Sequence, residues 1–398
     1  MSPPEAGRTA TMTAEATLPW RWLDPWRDAG EVETAWRSLE ARFRPPWFLR
    51  WAWVENWLAS LPPGLDLRLA VAGTVAQPEA GCFIGCRRRW RHGLFPVREC
   101  HLNATGFPAY DNLWIEYNTV PGRSLTWSDL LAALPEGWDE FHLPGLDMAA
   151  FPGNALGMAP PGLHGTLGKA IPSPGVDLEA VRRREAEGGD YLDLLGRNTR
   201  GQIRRSWRQA EANWGPVRLE EAGDAKAGVA FLERLAAIHQ QSWRERGEPG
   251  VFGEEWFLGF HRRLVERHFG EGVQLLALRA GEQELGYLYN LVADGRVLFY
   301  QCGIPRLADN RIKPGLMAHT AAIRHNAARG HALYDFLGGD TRYKQSLATV
   351  GGGGASGGAA EAGNPDADLA WFTLQRPRLV LRLEAAARVL KRRLAPAG

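Results

Sequence analysis

Proton transfer is the first kind of chemistry that side chains in the second half of this 398-residue chain could perform. Asp335 and Asp340 flank the end of a predicted strand, and His239 lies at the margin of an apolar helix face. Carboxylates and imidazole are common general acids and bases, and such catalysis contributes roughly 100-fold to 10,000-fold in rate. Asp335 is equally compatible with a structural hydrogen-bond partner, and His239 with an ordinary core residue.

Two further groups of residues could bind phosphate. Lys313, Pro314 and Gly315 precede a predicted helix, whose unpaired N–H groups and positive dipole end attract anions. The alternative is an ordinary strand-to-helix turn with proline near the first helical position. The second group follows one face of a basic helix and comprises Arg197, Arg200, Arg204 and Arg208. Because arginine can bind two phosphate oxygens at once, we expect a substrate contact here, with a solvated basic face as the alternative.

A mixed α and β unit must position these residues. Apolar spacing predicts two helices, after which the period changes to that of strands. The predicted helices span 190–211 and 228–246, followed by strands at 273–279, 285–292 and 297–304, a helix at 315–329 and a strand at 332–337. Asp294 and Gly295 fit a hairpin turn between the second and third strands. The final strand-helix-strand portion implies a parallel crossover.

Composition limits the classes of function. The chain is 45% hydrophobic and 23% charged with a net charge of +2, which is typical of a folded protein and does not indicate a DNA partner. Its four cysteines show neither zinc-site nor disulfide spacing, so we expect no metal and a reducing compartment. We find no signal-peptide pattern and no apolar run long enough to span a membrane. These observations predict a cytoplasmic protein.

The length favours two compact lobes. The predicted segments are a disordered N-terminus at 1–17, a first lobe at 18–170, a second lobe at 171–348, a Gly- and Ala-rich linker at 349–370 and a basic amphipathic helix at 371–398. Alternating residues predict strands in the first lobe at 67–72 and 113–117. Residues 376–394 carry seven basic residues and one acid. This helix could pack on the protein or a second subunit, or contact an anionic membrane.

Several short motifs together resemble a known family. The run from Tyr334 to Asp340, followed by Tyr343 and Lys344, resembles the end of the FemAB-like branch of the GNAT superfamily. Further segments resemble the same family. In the second lobe they are 191–208, His239 with Trp243 and Arg246-Gly247, and 300–303 ahead of 313–315; in the first lobe they are 102–106 and 114–118. Taken in this order, the motifs resemble the acetyltransferase family typified by the CelD/BcsL proteins of cellulose biosynthesis. The resemblance covers roughly 40–348.

The resemblance implies an α/β (α+β) fold of tandem GNAT-like lobes, each a twisted mixed sheet flanked by helices. It also implies acyl transfer from acetyl-CoA or another acyl-CoA to an amine or hydroxyl of a small molecule or a cell-envelope polysaccharide precursor. At the end of a predicted central strand, the amides of Gln301, Cys302 and Gly303 could then hydrogen-bond the thioester carbonyl, with a plain sheet-edge role as the alternative. Tyr343 would protonate the leaving thiolate and Lys344 would hold an anionic group. Trp243 and Asp340 would contact the acceptor.

One departure from the family pattern leaves the donor open. Many GNAT enzymes bind the donor pyrophosphate with an Arg/Gln-x-x-Gly-x-Gly/Ala loop, whereas residues 310–315 read Asn-Arg-Ile-Lys-Pro-Gly. Aminoacyl-tRNA, the donor of Fem-type enzymes, is therefore an alternative. A non-catalytic accessory protein of polysaccharide biosynthesis is another.

Overall fold

The structure is a computed structural model that describes residues 18–91, 94–113, 115–148, 159–339, 341–350 and 368–377. Within these residues the chain forms two mixed sheets flanked by helices, which confirms the predicted α/β class and its two-lobe architecture. The predicted N-terminal segment, most of the linker and the C-terminal helix beyond 377 lie outside the described residues. In the described parts of the chain, no helix combines the length and the apolarity that a membrane span requires.

The first lobe is built on a seven-stranded sheet within the described residues. Its strands are β1 (Trp20–Leu23), β2 (Leu67–Gly73), β3 (Pro78–Arg91), β4 (Phe95–Leu102), β5 (Glu140–Asp147), β6 (His164–Ile171) and a strand from the end of the chain, Leu369–Gln375. Its helices are α1 (Ala29–Phe43), α2 (Trp51–Ser60) and α3 (Trp127–Ala132). All neighbouring strands are antiparallel except β4 and β5, which are parallel.

The strand at Leu369–Gln375 corrects the predicted linker and helix at these residues. It fills the position between β5 and β6 and pairs antiparallel with both. Leu369, Phe372 and Leu374 are buried there, so tertiary pairing determines their conformation. A seven-residue run gives too little periodicity to distinguish this strand from the start of a helix. The strand at Leu369–Gln375 therefore completes the sheet of the first lobe.

The second lobe contains a six-stranded sheet within the described residues, ordered β7-β12-β11-β10-β9-β8. Its strands are β7 (Gly175–Asp177), β8 (Val217–Glu221), β9 (Val273–Ala280), β10 (Gln283–Ala293), β11 (Arg296–Gly303) and β12 (Leu333–Asp335); the strand at Leu369–Gln375 is β13. Its helices are α4 (Leu178–Ala186), α5 (Arg197–Trp214), α6 (Ala225–Arg244), α7 (Glu255–His268), α8 (Pro314–Ala328) and α9 (Arg342–Leu347).

Most elements predicted for the second lobe are confirmed. The meander of β9, β10 and β11 is antiparallel, and β11 pairs parallel with β12 after the α8 crossover. Asp294 and Gly295 both have positive φ, as the predicted hairpin turn requires. Helix α5 begins later than predicted, because Tyr191–Leu194 forms a separate 3-10 turn before it.

A continuous hydrophobic core joins the two lobes. Trp53 of α2 lies between Phe260 of α7 and Tyr300 of β11, with ring centroids 4.9 and 5.7 Å away. Asn56 of α2 also donates a 2.7 Å hydrogen bond to the carbonyl oxygen of Phe260. Because large aromatic side chains contribute much of the apolar area that a core buries, these contacts fix the lobes against each other.

The buried carboxylate of Asp335, at the end of β12, also connects the lobes. One of its oxygens accepts hydrogen bonds from the Tyr117 hydroxyl of the first lobe and from Arg296, both at 2.8 Å. The other accepts from the Ser173 hydroxyl at 2.9 Å and the Leu337 amide at 2.7 Å. Four donors from different parts of the chain thus satisfy the hydrogen-bonding capacity of this buried carboxylate.

Replacement of Asp335 by asparagine should therefore destabilise the fold. The substitution leaves the Arg296 guanidinium without its anion, and we expect a loss of about 2 kcal/mol in the free energy of unfolding, measured with urea. Asp294→Asn is the matched control, because Asp294 pairs with Arg50 across the lobes but is exposed. We expect it to cost less than about 1 kcal/mol. Equal losses in the two variants would contradict a special role for Asp335.

Candidate active site

A cavity opens in the second lobe where two parallel strands stop pairing. β11 and β12 pair over three positions, from Arg296 opposite Leu333 to Leu298 opposite Asp335. β11 then continues to Gly303, while the chain after β12 turns away. A cavity of about 590 Å³ lies in the gap. Residues from both sides line it: Phe299, Gln301 and Cys302 from β11, and Phe336, Leu337 and Gly338 from the segment after β12.

A β-bulge in β11 shapes one wall of this cavity. Tyr300 is the extra residue, because its neighbours Phe299 and Gln301 pair with consecutive residues of β10. Bulges re-aim side chains and are frequent next to active sites. The Tyr300 hydroxyl donates a 3.1 Å hydrogen bond to the carbonyl oxygen of Leu113 in the first lobe. The bulge therefore ties the cavity wall to the other lobe.

Two of the three residues predicted to contact the donor in β11 line the cavity, namely Gln301 and Cys302. Burial raises the pKa of the Cys302 thiol to about 12, so this thiol stays protonated and is not a nucleophile at neutral pH. Gly303 is not among the lining residues. A Cβ at Gly303 would lie 2.5 Å from the carbonyl oxygen of Leu235, so glycine there permits close packing of β11 on α6.

The beginning of α8 lies beside the cavity. Lys313 is its exposed N-cap residue, and the Lys313 amide donates to the Ser206 hydroxyl of α5 at 3.0 Å. Among the described residues no side chain caps the first turn of α8. A Cβ at Gly315 would meet nothing nearer than Ile304 at 3.9 Å, and Ile304 lines the cavity. An uncapped helix N-terminus in this position can bind a phosphate group.

The C-terminal part of α6 forms another wall. The rings of His239 and Trp243 stack at 5.6 Å, and the Arg246 guanidinium lies 5.7 Å from the Trp243 ring centroid. All three residues line the cavity. Burial, with a smaller contribution from Arg246, lowers the pKa of His239 to about 4. His239 is therefore neutral at pH 7 and a weak base.

Helix α9 brings Tyr343 and Lys344 to the cavity, as predicted from their position after the last strand. The Lys344 ammonium donates to the carbonyl oxygens of Leu337 and Gly338, at 3.2 and 2.9 Å. Burial lowers the pKa of Lys344, whereas Glu116 and Asp335 oppose that effect. Burial raises the pKa of the Tyr343 phenol, which keeps it protonated at neutral pH.

Glu116 of the first lobe lies in this cavity and was not among the predicted site residues. One oxygen of its carboxyl accepts a 2.6 Å hydrogen bond from the Gly338 amide of the second lobe. Burial raises its pKa to about 7, with a further increase from Asp335 and a decrease from Lys344. A carboxyl with this pKa exchanges protons at neutral pH, which is the property of a general base. The sequence carries two signals for Glu116, namely an acid within an otherwise apolar run at 113–117 and the family resemblance of 114–118.

The backbone on both sides of this contact is unusual. Tyr117 and Leu337, which neighbour Glu116 and Gly338, have φ angles of +55° and +58°. Bulky residues rarely adopt the left-handed conformation, and such residues cluster at functional sites. The strand predicted at 113–117 is accordingly wrong. Residues 115–117 are irregular, and the turn at Tyr117 directs Glu116 into the cavity.

The cavity lining does not include five other predicted residues, namely Asp335, Arg197, Arg200, Arg204 and Arg208. The Asp335 carboxylate is engaged at the lobe junction, so its position supports the structural alternative and not a catalytic role. Arg200 and Arg204 face Asp193, at 3.9 and 3.3 Å, and Arg197 is exposed on the same helix. The predicted acceptor residue Asp340 lies outside the described residues.

One other cluster has the side chains of a metal site. Glu99 and His101 of β4 and His142 of β5 have potential ligand atoms within 4.8 Å of one another. The Glu99 carboxylate is, however, paired with Arg87 at 2.6 Å and Arg89 at 3.4 Å. Because these guanidinium groups already balance its charge and would repel a cation, we assign no metal to this cluster.

Comparison with known proteins agrees with this geometry. Residues 197–345 match the family model of an acetyltransferase (GNAT) domain, so this domain lies in the second lobe. No curated protein matches the chain. The structure of FemX is similar, with a TM-score of 0.52 and 8% identity over 81% of this chain and 94% of FemX. At that identity the similarity indicates a shared fold and no more.

Two further solved structures are similar over most of this chain. The C-terminal domain of a putative lysylphosphatidylglycerol synthetase from Agrobacterium fabrum has a TM-score of 0.46 and 11% identity, over 91% of this chain and 96% of its own. A tandem GNAT protein from the clavulanic acid biosynthesis pathway has a TM-score of 0.43 and 12% identity, over 90% and 98%. These scores are too low to support a conclusion. The narrower resemblance to CelD/BcsL proteins stays a prediction.

The raised pKa of Glu116 predicts a pH-dependent stability. A carboxyl whose pKa is higher in the folded than in the unfolded state binds its proton more tightly when folded, so its burial becomes costly as pH rises from about 4.5 to about 7. Glu116→Gln removes this cost. Relative to the unchanged protein, it should raise the free energy of unfolding more at pH 8 than at pH 5, with a difference of up to about 3 kcal/mol. Urea unfolding at the two pH values measures this difference. Glu282→Gln, in an exposed turn, is the matched control, and a pH-independent effect of Glu116→Gln would contradict the assignment.

Proposed function

We propose that the chain is an acyltransferase that moves an acyl group from acyl-CoA to an amine or hydroxyl of a small-molecule or cell-envelope polysaccharide precursor. The observation that carries the proposal is the cavity between the diverging strands β11 and β12, inside the region that matches the acetyltransferase (GNAT) domain. A narrow gap between strands suits an extended thioester arm, because the unpaired edge of β11 offers backbone hydrogen-bonding groups. The expected cytoplasmic location stays a prediction.

The donor would bind between β11 and the beginning of α8. Its phosphate groups would meet the uncapped first turn at Gly315, with the exposed Lys313 adding positive charge. Its acyl end would enter the cavity beside Gln301 and Cys302. Arg246 at the cavity wall is a further cation for an anionic part of donor or acceptor. In this proposal the donor phosphate groups bind without the Arg/Gln-x-x-Gly-x-Gly/Ala loop that many GNAT enzymes use.

Within the cavity we assign proton removal to Glu116. As the acceptor nitrogen or oxygen bonds to the thioester carbonyl carbon, Glu116 takes the proton that the nucleophile loses and the carbon–sulfur bond breaks. The Tyr343 phenol, kept protonated by burial, gives a proton to the departing thiolate. The Gly338 amide and Lys344 both lower the pKa of Glu116 and so oppose the effect of burial. The step leaves Glu116 protonated and Tyr343 ionised, and net transfer of one proton from Glu116 to Tyr343 through solvent restores both groups for the next turnover.

The acceptor would enter from the first lobe. A second cavity of about 270 Å³ lies there and shares Asn112 with the first. Aromatic rings of Trp57, Tyr110 and Trp371 line it together with the polar Asp111. Apolar ring faces with a few polar groups suit a polar ring-bearing acceptor such as a sugar. This lining supports the glycan-precursor class that the CelD/BcsL resemblance implies.

Binding of acetyl-CoA tests the donor assignment directly. Calorimetric titration should give a dissociation constant in the micromolar range, and Gly315→Ala should weaken it at least about tenfold, or 1.4 kcal/mol. The alanine methyl fits the folded protein, so a loss of affinity would report a ligand close to this backbone. Gly201→Ala in α5, where a Cβ would meet nothing within 4 Å, is the matched control. Absence of binding would overturn the acyl-CoA donor and favour aminoacyl-tRNA or a non-catalytic binding role.

The pH profile of turnover tests the base. Acyl transfer should rise with pH and level off above an inflection near 7, and Glu116→Gln should lower the plateau at least about 100-fold. Lys344→Met removes a charge that lowers the pKa of Glu116, so the inflection should move to higher pH while turnover falls. Arg342→Met, an exposed neighbour on α9, is the control and should leave the inflection in place. A profile that Glu116→Gln does not change would exclude this residue as the base.

A further inference from the structure

The hairpin of β3 and β4 extends beyond the rest of the first sheet. β2 pairs with β3 only as far as Gly85, and β5 pairs with β4 only from Glu99 to His101. The pairing of β3 with β4 nevertheless continues out to Arg91 opposite Phe95. Residues 87–91 and 94–98 thus form a two-stranded ribbon, which we call the basic ribbon.

The outer end of the basic ribbon exposes large apolar side chains. Trp90, Leu94 and Phe95 are 63%, 71% and 42% exposed, and they make up half of the large exposed apolar residues in the described parts of the chain. Isolated exposed apolar residues are normal on soluble proteins, whereas a cluster indicates an interaction surface. All three lie within six consecutive positions.

Arginines surround this apolar end. Positions 87 to 98 contain five arginines and no acid. The sheet supplies acids for one face of the ribbon, where Glu99 pairs with Arg87 and Arg89, and Glu140 with Arg91. Arg88 lies on the other face.

That other face carries the positive charge that the sheet leaves unbalanced. Side chains alternate along a strand, so Arg88 and Trp90 share this face with their partners Arg98 and Pro96. Arg98 is 3.6 Å from the exposed Asp66. Arg88 is exposed and forms no ion pair with any described residue. This face therefore combines net positive charge with an exposed indole.

Arg376, next to the last described residue, lies at the base of the basic ribbon. The Arg376 amide donates to the carbonyl oxygen of Asp139 at 2.9 Å, and the Asp139 amide donates to that of Arg98 at 2.9 Å. The Arg376 guanidinium lies 4.6 Å from the Trp138 ring centroid. The sequence that follows Pro377 contains six basic residues and one acid. Arg376, after which this basic sequence follows, thus lies at the same end of the first-sheet strands as the basic ribbon.

We propose that the basic ribbon docks on an anionic phospholipid bilayer, with Trp90, Leu94 and Phe95 entering the headgroup region. Tryptophan prefers the membrane–water interface, leucine and phenylalanine gain from leaving water, and arginine pairs with lipid phosphate. A stable protein interface usually covers about 800 Å² per partner, which is large for the end of a two-stranded ribbon. The proposal does not depend on acyl transfer.

Vesicle co-sedimentation of the full-length protein tests this docking. The protein should bind vesicles of phosphatidylglycerol and phosphatidylcholine, and bind pure phosphatidylcholine vesicles much more weakly. Trp90→Ser with Leu94→Ser should reduce binding at least about tenfold, since each buried apolar side chain contributes about 1.5 kcal/mol or more. Arg88→Gln should reduce it about fivefold, from about 1 kcal/mol per basic residue at an anionic surface.

Matched variants control for general effects of charge and apolar area. Arg306→Gln removes an exposed arginine of the second lobe, and Leu194→Ala removes part of another exposed apolar side chain. Both should bind vesicles like the unchanged protein. Acetyl-CoA titration of every variant separates this test from that of the proposed enzyme activity.

Three results would overturn the proposal. In the first, the ribbon variants bind vesicles as well as the unchanged protein does, whereas neutralising the basic residues after Pro377 abolishes binding. This result would assign the contact to that segment alone. The second is equal binding to neutral and anionic vesicles. In the third, the protein does not bind vesicles but self-associates, as measured by light scattering, and the ribbon variants abolish the self-association. This result would identify a second copy of the chain as the partner.

Discussion

The early end of pairing between β11 and β12 is the constraint on which the proposed chemistry depends. A parallel pair that continued would satisfy its backbone groups and close the gap. Here the chain is diverted after Asp335, whose carboxylate holds Tyr117, Arg296 and Ser173 and also the amide of Leu337. The same side chain that ends the short strand therefore fixes the first lobe beside the opening.

Because the cavity forms at this junction, its chemistry belongs to both lobes. The second lobe contributes the strand edge, the helix beginning and Lys344, and the first lobe contributes Glu116. Glu116 and Lys344 influence each other across the interface, the carboxyl with a raised pKa and the ammonium with a lowered one. Burial drives both shifts, and each group limits the other's shift. A shared core around Trp53 and Phe260 joins the two lobes that carry these groups.

The arginines show how environment determines what a basic residue does. Arg296 is held against a buried carboxylate and the Tyr117 ring, 4.0 Å away, and so stabilises the lobe junction. Arg200 and Arg204 share Asp193 on the surface of α5. Arg88 shares its ribbon face with an exposed tryptophan. Net charge alone, at +2, would not distinguish these roles. If the acceptor is a cell-envelope precursor, a bilayer-docked ribbon would hold the enzyme near it.

The sequence by itself determined the second lobe well. Its meander and its crossover were predicted from local signals. These are the strand alternation, the turn at Asp294-Gly295 and the helix that begins at Pro314. The family resemblance also singled out Tyr343 and Lys344, which line the cavity. The tertiary structure decided what depends on distant partners. Residues 369–375 became a strand because β5 and β6 leave a position between them, and Asp335 became a junction residue because its donors come from 117, 173 and 296. Glu116 became a site residue because a left-handed Tyr117 turns it toward an amide 222 positions along the chain. Such contacts leave no periodicity in the sequence, so only the folded chain contains them.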